Sequence, residues 1–445
     1  MLSIPYQFVS KGYTEVLGRV PSPSELVQFH NAFIPQGCTY NSVNNAVDAF
    51  LLSPEFQSLN LTNRERVQTV YRLMLNRDPD AGGWNYFAGL PLTQTINAIK
   101  QSSEYKQYVL ALCTGKAVRF GIVPIDAAIS DAGLRQQLAT ATPGQTITVS
   151  GRIAVSAPLT IPNGVTLQGK PGHYATSATL LRQSAFYGPV VNVTANATLR
   201  HLTVDGRRTD IGYSQDSPNI EVIGSGATVA NVRSQNPTGW TMLFCSPHYG
   251  VVSNVTIERN TMIGYGTSRD AVNGKAAWAD GLSIACDGAN INGNDIIDAT
   301  DVGLISFDPY SRGTHHQYFG NYVLNTVNTW AMIGIDQQQG YKSFANTAFI
   351  GNLLFTAGNA KARIAVINGA SPWADNRSTM GTAQYVGNYG YVRYELYGVN
   401  NDSPTPMFLP DVGLVPTGAK INPPCVGAKY PATGTTYNCL MSVAK

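Results

Sequence analysis

Apolar residues near the start of the chain recur every three or four positions, as Phe8, Val9, Tyr13, Val16 and Leu17 do, which predicts helices with one buried face. The pattern then repeats itself. Tyr13, Leu17, Arg19, Pro21 and Phe29 are answered by Tyr71, Leu75, Arg77, Pro79 and Phe87, each 58 positions later, and a shared offset of this kind marks a duplicated unit. Leu52-Ser53-Pro54-Glu55-Phe56 is answered by Gln101-Ser102-Ser103-Glu104-Tyr105, nine residues closer in the second copy. Each copy reads as helix, proline turn, helix, helix, with Ser53 or Ser103 as the N-cap of the last helix and a glutamate in its first turn. Arg19, Arg77, Asp78 and Asp80 are expected to cap and brace these helices.

After a bridge over residues 116–131 and a candidate capping helix at Leu134–Leu138, the period changes. Short β-branched runs alternate with Gly, Asn and Pro, as in Pro143–Val149 and Leu159–Gly169, and read as strands between turns. Asparagine marks one point of a recurring unit at Asn260, Asn294, Asn321, Asn352 and Asn388, spaced 34, 27, 31 and 36 apart, the last four each preceded by glycine. Stacked coils would place these amides over one another as a hydrogen-bonded ladder that also tolerates left-handed backbone. Uneven spacing means inserted loops, which gather on one face of a repeat protein. One coil runs as a strand at His316–Phe319, the turn at Asn321, a second strand at Tyr322–Leu324, a third at Trp330–Ile335 and a loop over 336–344. Third strands recur at Thr241–Cys245, Leu282–Cys286, Leu304–Phe307 and Ile364–Ile367. The predicted organisation is a helical module over 1–115, a linker with capping helix over 116–145, a solenoid over 146–400 and a tail over 401–445.

The runs Leu159–Gly169 and Thr198-Leu199-Arg200-His201-Leu202-Thr203-Val204-Asp205-Gly206 resemble coils of the pectate-lyase-like right-handed parallel β-helix superfamily, which includes polysaccharide lyases, glycoside hydrolases and epimerases. The resemblance implies a mainly β fold, a right-handed parallel β-helix behind an N-terminal all-α domain, with the third strands lining a substrate groove. The turns Leu17-Gly18-Arg19-Val20-Pro21 and Leu75-Asn76-Arg77-Asp78-Pro79 resemble a family of small helical modules of unknown function on bacterial exported proteins, over roughly residues 5–112. That second resemblance implies no chemistry.

Composition narrows the function classes. Of 445 residues 13% are charged, about half the share of an ordinary soluble domain. Net charge is +3, from 30 basic and 27 acidic residues, and no basic run tracks a phosphate backbone, which argues against nucleic acid. No stretch approaches the roughly 20 apolar residues of a membrane span, and Met1 to Gly12 lacks the pattern of a Sec signal, which is read as absent or already removed. The 43 Gly, 25 Pro and 23 Tyr suit many short strands and turns. Cys38, Cys113, Cys245, Cys286, Cys425 and Cys439 show no zinc spacing. Cys425 with Cys439 is the best disulfide candidate, closing a 15-residue loop; buried free thiols are the alternative.

The candidate chemistry is acidic. Aligned on the third strands, Asp308 and Asp336 share one position on adjacent coils, and Asp280 and Asp301 form a second pair at the entrance to neighbouring third strands. Coils about 4.8 Å apart would let such carboxylates perturb each other, and spacings of about 5–9.5 Å serve glycoside hydrolysis. Arg269, Lys275 and Trp278 in the insertion before Asp280, and Tyr310, Arg312, His315 and His316 beyond Asp308, supply the cation, base and acid that uronate chemistry needs. Phe307-Asp308-Pro309-Tyr310 resembles the "DPH" signature of alginate C5-epimerases, with Tyr310 in place of histidine. Trp278, Trp330 and Trp373 suit sugar stacking or a solenoid core alike. Aspartates also suit coil corners as acceptors of turn amides, and either histidine suits packing or a solvent-facing place. Asp205-Gly206-Arg207-Arg208 reads as a turn with a solvated basic edge. No cofactor is certain; Ca2+ is compatible with Asp270, Asp280, Asp287 and Asp301, although no loop shows a dedicated spacing. The expected function is an extracellular polysaccharide-active enzyme acting on an acidic glycan by lyase, hydrolase or C5-epimerase chemistry, as a monomer or homotrimer. The alternatives are a non-catalytic glycan-binding β-helix and a phage tailspike.

Overall fold

The computed structural model describes residues 4–114, 129–170, 178–246, 251–264, 277–307, 315–336, 344, 346–358, 360–369, 383–386, 388–392, 421–422 and 442–443.

The helical unit is the duplication written in three dimensions. Tyr6–Lys11 continues as a π-helix over Gly12–Leu17, followed by helices Pro23–Phe33, Tyr40–Leu51 and Pro54–Ser58; the second copy runs Asn63–Leu75, Ala81–Phe87, Leu92–Gln101 and Ser103–Thr114. The leading helix of each copy ends on a left-handed residue, Gly18 (φ 68°) or Asn76 (φ 53°), which turns the chain into the Arg-x-Pro segment. The arginine then does the same work twice. Arg19 lies 5.0 Å from the Tyr13 ring and 2.6 Å from Glu55, and Arg77 lies 5.0 Å from the Tyr71 ring and 2.5 Å from Glu104. Ser53 accepts the Phe56 N–H at 3.0 Å and Ser102 accepts the Tyr105 N–H at 3.1 Å. The second cap is therefore Ser102, not Ser103, because a capping hydroxyl must reach the N–H three residues on. Asp80 caps the next helix through the Gly83 N–H at 2.7 Å, and Asp78 receives Arg72 at 2.7 Å. These residues brace helices, as expected of them. Cys38 and Cys113 are joined, tying the terminal helix back to the first copy.

The second unit is a parallel β-helix. Its strands form three parallel sheets, in each of which every third strand of the chain is the next neighbour. Parallel crossovers of this kind are right-handed almost without exception. The first sheet runs from Thr146–Val149 to Gln384–Val386, the second from Arg152–Val155 to Tyr389–Tyr391, and the third from Leu159–Ile161 to Ala362–Gly369. Between its ends the third sheet holds Thr241–Cys245, Asp280–Ile284, Val302–Phe307 and Thr329–Asp336.

Burial separates the sheets. First-sheet strands alternate, as Thr146–Val149 and Thr166–Gly169 do, with one face in the core and one toward solvent. Third-sheet strands Thr241–Cys245 and Asp280–Ile284 are buried at every position. Along the axis the first sheet stacks Leu167, Leu199, Val229, Ile257 and Ile291 in register and then turns aromatic, with Tyr318 and Phe349 rings 4.2 Å apart and Phe349 and Tyr385 5.0 Å apart.

The asparagine ladder is continuous. Asn260, Asn294, Asn321 and Asn352 each donate from Nδ2 to the Oδ1 of the next member, at 2.7–2.9 Å, ending on Asn388. Each Nδ2 also donates to a first-sheet carbonyl of the preceding coil, Asn321 to Ile291 at 2.8 Å for example. The left-handed residue is not the ladder asparagine but the one before it: Arg259 (φ 53°), Gly293 (φ 58°), Gly320 (φ 60°) and Gly351 (φ 60°). The glycine supplies the turn, which frees the asparagine to point inward.

Cys245 and Cys286 are disulfide-bonded across adjacent coils. The four described cysteines are thus paired rather than free, and Cys425 and Cys439 lie outside the described residues. No helix among the described residues is long and apolar enough to cross a membrane.

Candidate functional site

The parallel register brings Asp280 and Asp301 together where third-sheet strands begin. Leu282 pairs with Leu304, and the Val302 N–H, next to Asp301, donates to Asp280 Oδ1 at 2.9 Å. That register sets Asp280 opposite Val302, the residue after Asp301, and the two carboxyl groups lie close enough to act on each other electrostatically. Asp280 Oδ2 lies 2.8 Å from the Ser283 hydroxyl, which also lies 2.8 Å from Thr241 Oγ1. Asp301 Oδ1 is shielded from solvent and has no hydrogen-bond partner among the described residues.

Glycines set this depth. A Cβ on Gly281 would stand 2.5 Å from Ile296 Cγ2, and one on Gly303 would stand 2.5 Å from Val323 Cγ1, so only glycine lets these strand starts press against the second sheet. Burial pushes the Asp280 carboxyl up to about 7, against the lowering pull of its two donors. Asp301 is pushed well above the usual carboxylate range by burial first and by the Asp280 charge second, with a smaller longer-range contribution from Asp336. Burial and mutual repulsion thus both favour the protonated forms of these two carboxyls.

Aromatic residues bracket the pair along the axis. The Trp240 carbonyl accepts the Asp280 N–H at 2.8 Å, and the Trp330 N–H donates to the Asp301 carbonyl at 3.0 Å. The Trp278 and Trp330 rings lie edge to face at 6.0 Å. All three tryptophans are half-buried.

Two residues were not legible as site members. Arg208, read as part of a solvated basic edge, is fully buried and donates to the Ala277 carbonyl. Its guanidinium lies 5.0 Å from the Tyr213 ring. The Tyr213 hydroxyl is pushed up to about 12 by burial and, against the opposing Arg208 charge, by the Asp301 and Asp280 carboxylates. The signal available in the sequence was the insertion itself, residues 206–219 between a second-sheet and a third-sheet strand.

The remaining predicted residues lie elsewhere. Asp336 pairs with Phe307, not with Asp308, a one-residue offset from the expected alignment. It sits at the far end of its strand, five positions and roughly 16 Å beyond the residue opposite Val302. His316 is wholly buried near that end, with Nδ1 2.6 Å from Ser306 Oγ and Nε2 2.5 Å from the Cys286 carbonyl. Burial holds its pKa down to about 4. This has the outline of a serine–histidine pair but is sealed in the core. His315 is exposed, with Nδ1 2.9 Å from Asp287 and Nε2 3.1 Å from the Asn346 amide. Asp287 therefore pairs with a histidine at the opposite strand end from Asp280 and Asp301. Arg269, Asp270, Lys275, Asp308, Tyr310, Arg312 and Trp373 lie outside the described residues. Among the described residues no group of three or more His, Cys, Asp or Glu is placed to hold a metal ion.

A family model described as a domain of unknown function, DUF4214, matches residues 47–108. No match was found among curated proteins. Among solved structures, the chain is similar to the A-module of the mannuronan C-5 epimerase AlgE6 of Azotobacter vinelandii, at 12% identity over 58% of this chain and 93% of that one, with a TM-score of 0.23. It is also similar to the Dettilon tailspike protein gp208, at 10% identity over 64% of this chain and 65% of that one, with a TM-score of 0.26. The three parallel sheets themselves carry the fold assignment. The chain thus carries a match to the DUF4214 model over residues 47–108 and, after it in sequence, a parallel β-helix.

Proposed function

We propose that the protein is an extracellular polysaccharide-active enzyme that hydrolyses glycosidic bonds at the Asp280–Asp301 pair. The observation that carries this reading is a pair of adjacent buried carboxyls bracketed by Trp240, Trp278 and Trp330. Asp301 is the general acid: burial and the neighbouring charge favour its protonated form, ready to give a proton to the departing glycosidic oxygen. Asp280, fixed by donors on both oxygens, is the partner carboxylate that attacks the sugar or activates water. The tryptophans offer apolar faces to sugar rings on either side along the coil axis. The disulfides Cys38–Cys113 and Cys245–Cys286 support an oxidising, extracellular setting.

One observation favours a second reading. Both Asp280 oxygens are already engaged by the strand start, which suits a structural cap beneath a glycan-binding surface without chemistry.

A panel of β-glucan, mannan, polygalacturonate, alginate, hyaluronan and bacterial O-polysaccharide separates the readings. New reducing ends without ultraviolet absorbance from an unsaturated product support hydrolysis. Reducing ends with that absorbance mean a lyase, and binding without either product supports the second reading. No turnover and no binding on the whole panel overturns both.

A further inference from the structure

The corner at residues 206–213 reaches along the coil axis to the segment that leads into Asp280. Arg208 starts a single helical turn, Arg208–Ile211, and from its buried position donates to the carbonyl of Ala277, 69 residues later and next to Trp278. Its guanidinium packs over the Tyr213 ring, a cation–π contact that fixes the ring plane. The residues after Tyr213 are tied down separately: the Ser214 N–H donates to the Thr238 carbonyl at 2.8 Å, and the Gln215 carbonyl accepts the Trp240 N–H at 3.2 Å. Tyr213 is therefore held from two sides while remaining half-buried.

We propose that Tyr213 is a specificity-determining residue that contacts the sugar unit beside the Asp280–Asp301 pair, and that Arg208 is the positioning residue that holds it there. This rests on the glycan reading above. A sugar offers apolar faces and hydroxyl edges, and a tyrosine matches both with its ring and its phenol. Arg208 ties the Tyr213 ring to Ala277, three residues before Asp280, and Gln215 bonds Trp240, whose carbonyl accepts the Asp280 N–H, so Tyr213 is held beside the segment that carries the pair. Burial keeps its hydroxyl protonated through neutral pH as a donor.

The test uses the full chain and the panel polysaccharide that the wild type degrades fastest. Tyr213→Ala is expected to raise KM about tenfold with kcat within about twofold and an unchanged melting temperature, and Tyr213→Phe, which keeps the ring, is expected to fall between. A wild-type KM in Tyr213→Ala overturns the proposal. So does a loss of kcat accompanied by a lower melting temperature, which marks a structural residue. If the wild type turns over substrate, Asp301→Asn does not, and Tyr213→Ala is unaffected, the glycan reading stands and this inference alone fails. A wild type inert on the whole panel removes both.

Discussion

Asn294 donates from Nδ2 to Asn321 Oδ1 at 2.9 Å, and the same oxygen receives the Asn294 backbone N–H at 2.9 Å. Asn321 thus closes two bonds below it while passing Nδ2 bonds to Ile291 and Asn352. Every group in this column is buried, so removing one amide orphans partners on both sides. Asn321→Leu is expected to cost about 2–4 kcal/mol, read as a lower denaturant midpoint for the solenoid. A variant as stable as the wild type would mean that the ladder relaxes around the gap.

Asp301→Asn removes the proton assigned to the leaving oxygen, and Asp280→Asn removes the charge opposite it. Each is expected to lower turnover on the best panel substrate at least about 100-fold while leaving glycan binding measurable. Asp336→Asn, at the other strand end, is expected to keep turnover within about twofold of wild type. Equal losses in all three variants would contradict the division of the acidic residues into two locations.

Stability is expected to fall as pH rises from about 4.5 to 7.5. Burial raises Asp280 and Asp295 to about 7, and Asp298 to about 6 against the donors from Thr326. Each binds a proton in the native state that the unfolded chain has already released, a contribution complete below the unfolded carboxyl pKa and lost as pH rises through the folded one. His316 opposes them: held down to about 4, its contribution is present above pH 6.5 and lost as pH falls through 4. Asp205 and Asp301, also raised by burial, act with the three carboxyls, and His30 and His201, lowered by burial, act with His316. Five raised carboxyls outweigh three lowered imidazoles, so the native state binds more protons across this window. Melting temperatures measured across it provide the check, and a rising trend would contradict the burial of these carboxyls.

The Cys245–Cys286 bridge closes a stretch of 41 positions that includes Trp278 and Asp280. The double substitution Cys245→Ala with Cys286→Ala is expected to cost about 4 kcal/mol in the chain-entropy account, measured by denaturation against the wild type. A loss of turnover larger than the loss of stability explains would tie the bridge to the geometry of the site.

The duplicated cap gives a sharper contrast. Ser102→Ala is expected to destabilise the helical unit by about 1 kcal/mol, and Ser103→Ala by no more than a few tenths. The reverse order would place the cap where the sequence alone first suggested it.

Several features were legible because they depend on short-range rules. The offset of 58 between Tyr13-Leu17-Arg19 and Tyr71-Leu75-Arg77 survives as two copies of one Arg–Tyr–Glu arrangement, since each copy repeats the same local contacts. The recurring asparagines mark a true ladder because one inward amide per coil is the cheapest way to satisfy buried backbone at a tight corner. The strand predicted at Thr241–Cys245 matches the structure residue for residue, and the one predicted from Leu282 begins two residues earlier, at Asp280. The expected pairing of Asp280 with Asp301 rested on their place at neighbouring strand entrances, and the register sets Asp280 opposite Val302, the residue after Asp301.

The chain's own periodicities determined that it would be a helical duplication followed by stacked parallel coils, because helix faces, strand alternation and corner residues are fixed by neighbours a few positions away. Tertiary structure decided which side chains meet. Whether Asp336 faces Phe307 or Asp308 turns on a register step of one residue, which insertions of unequal length set and no local pattern encodes. Arg208 is buried only because its corner folds over residues 69 positions away, and Cys245 finds Cys286 only because their coils are adjacent. Contacts of this range depend on the summed geometry of every turn between them.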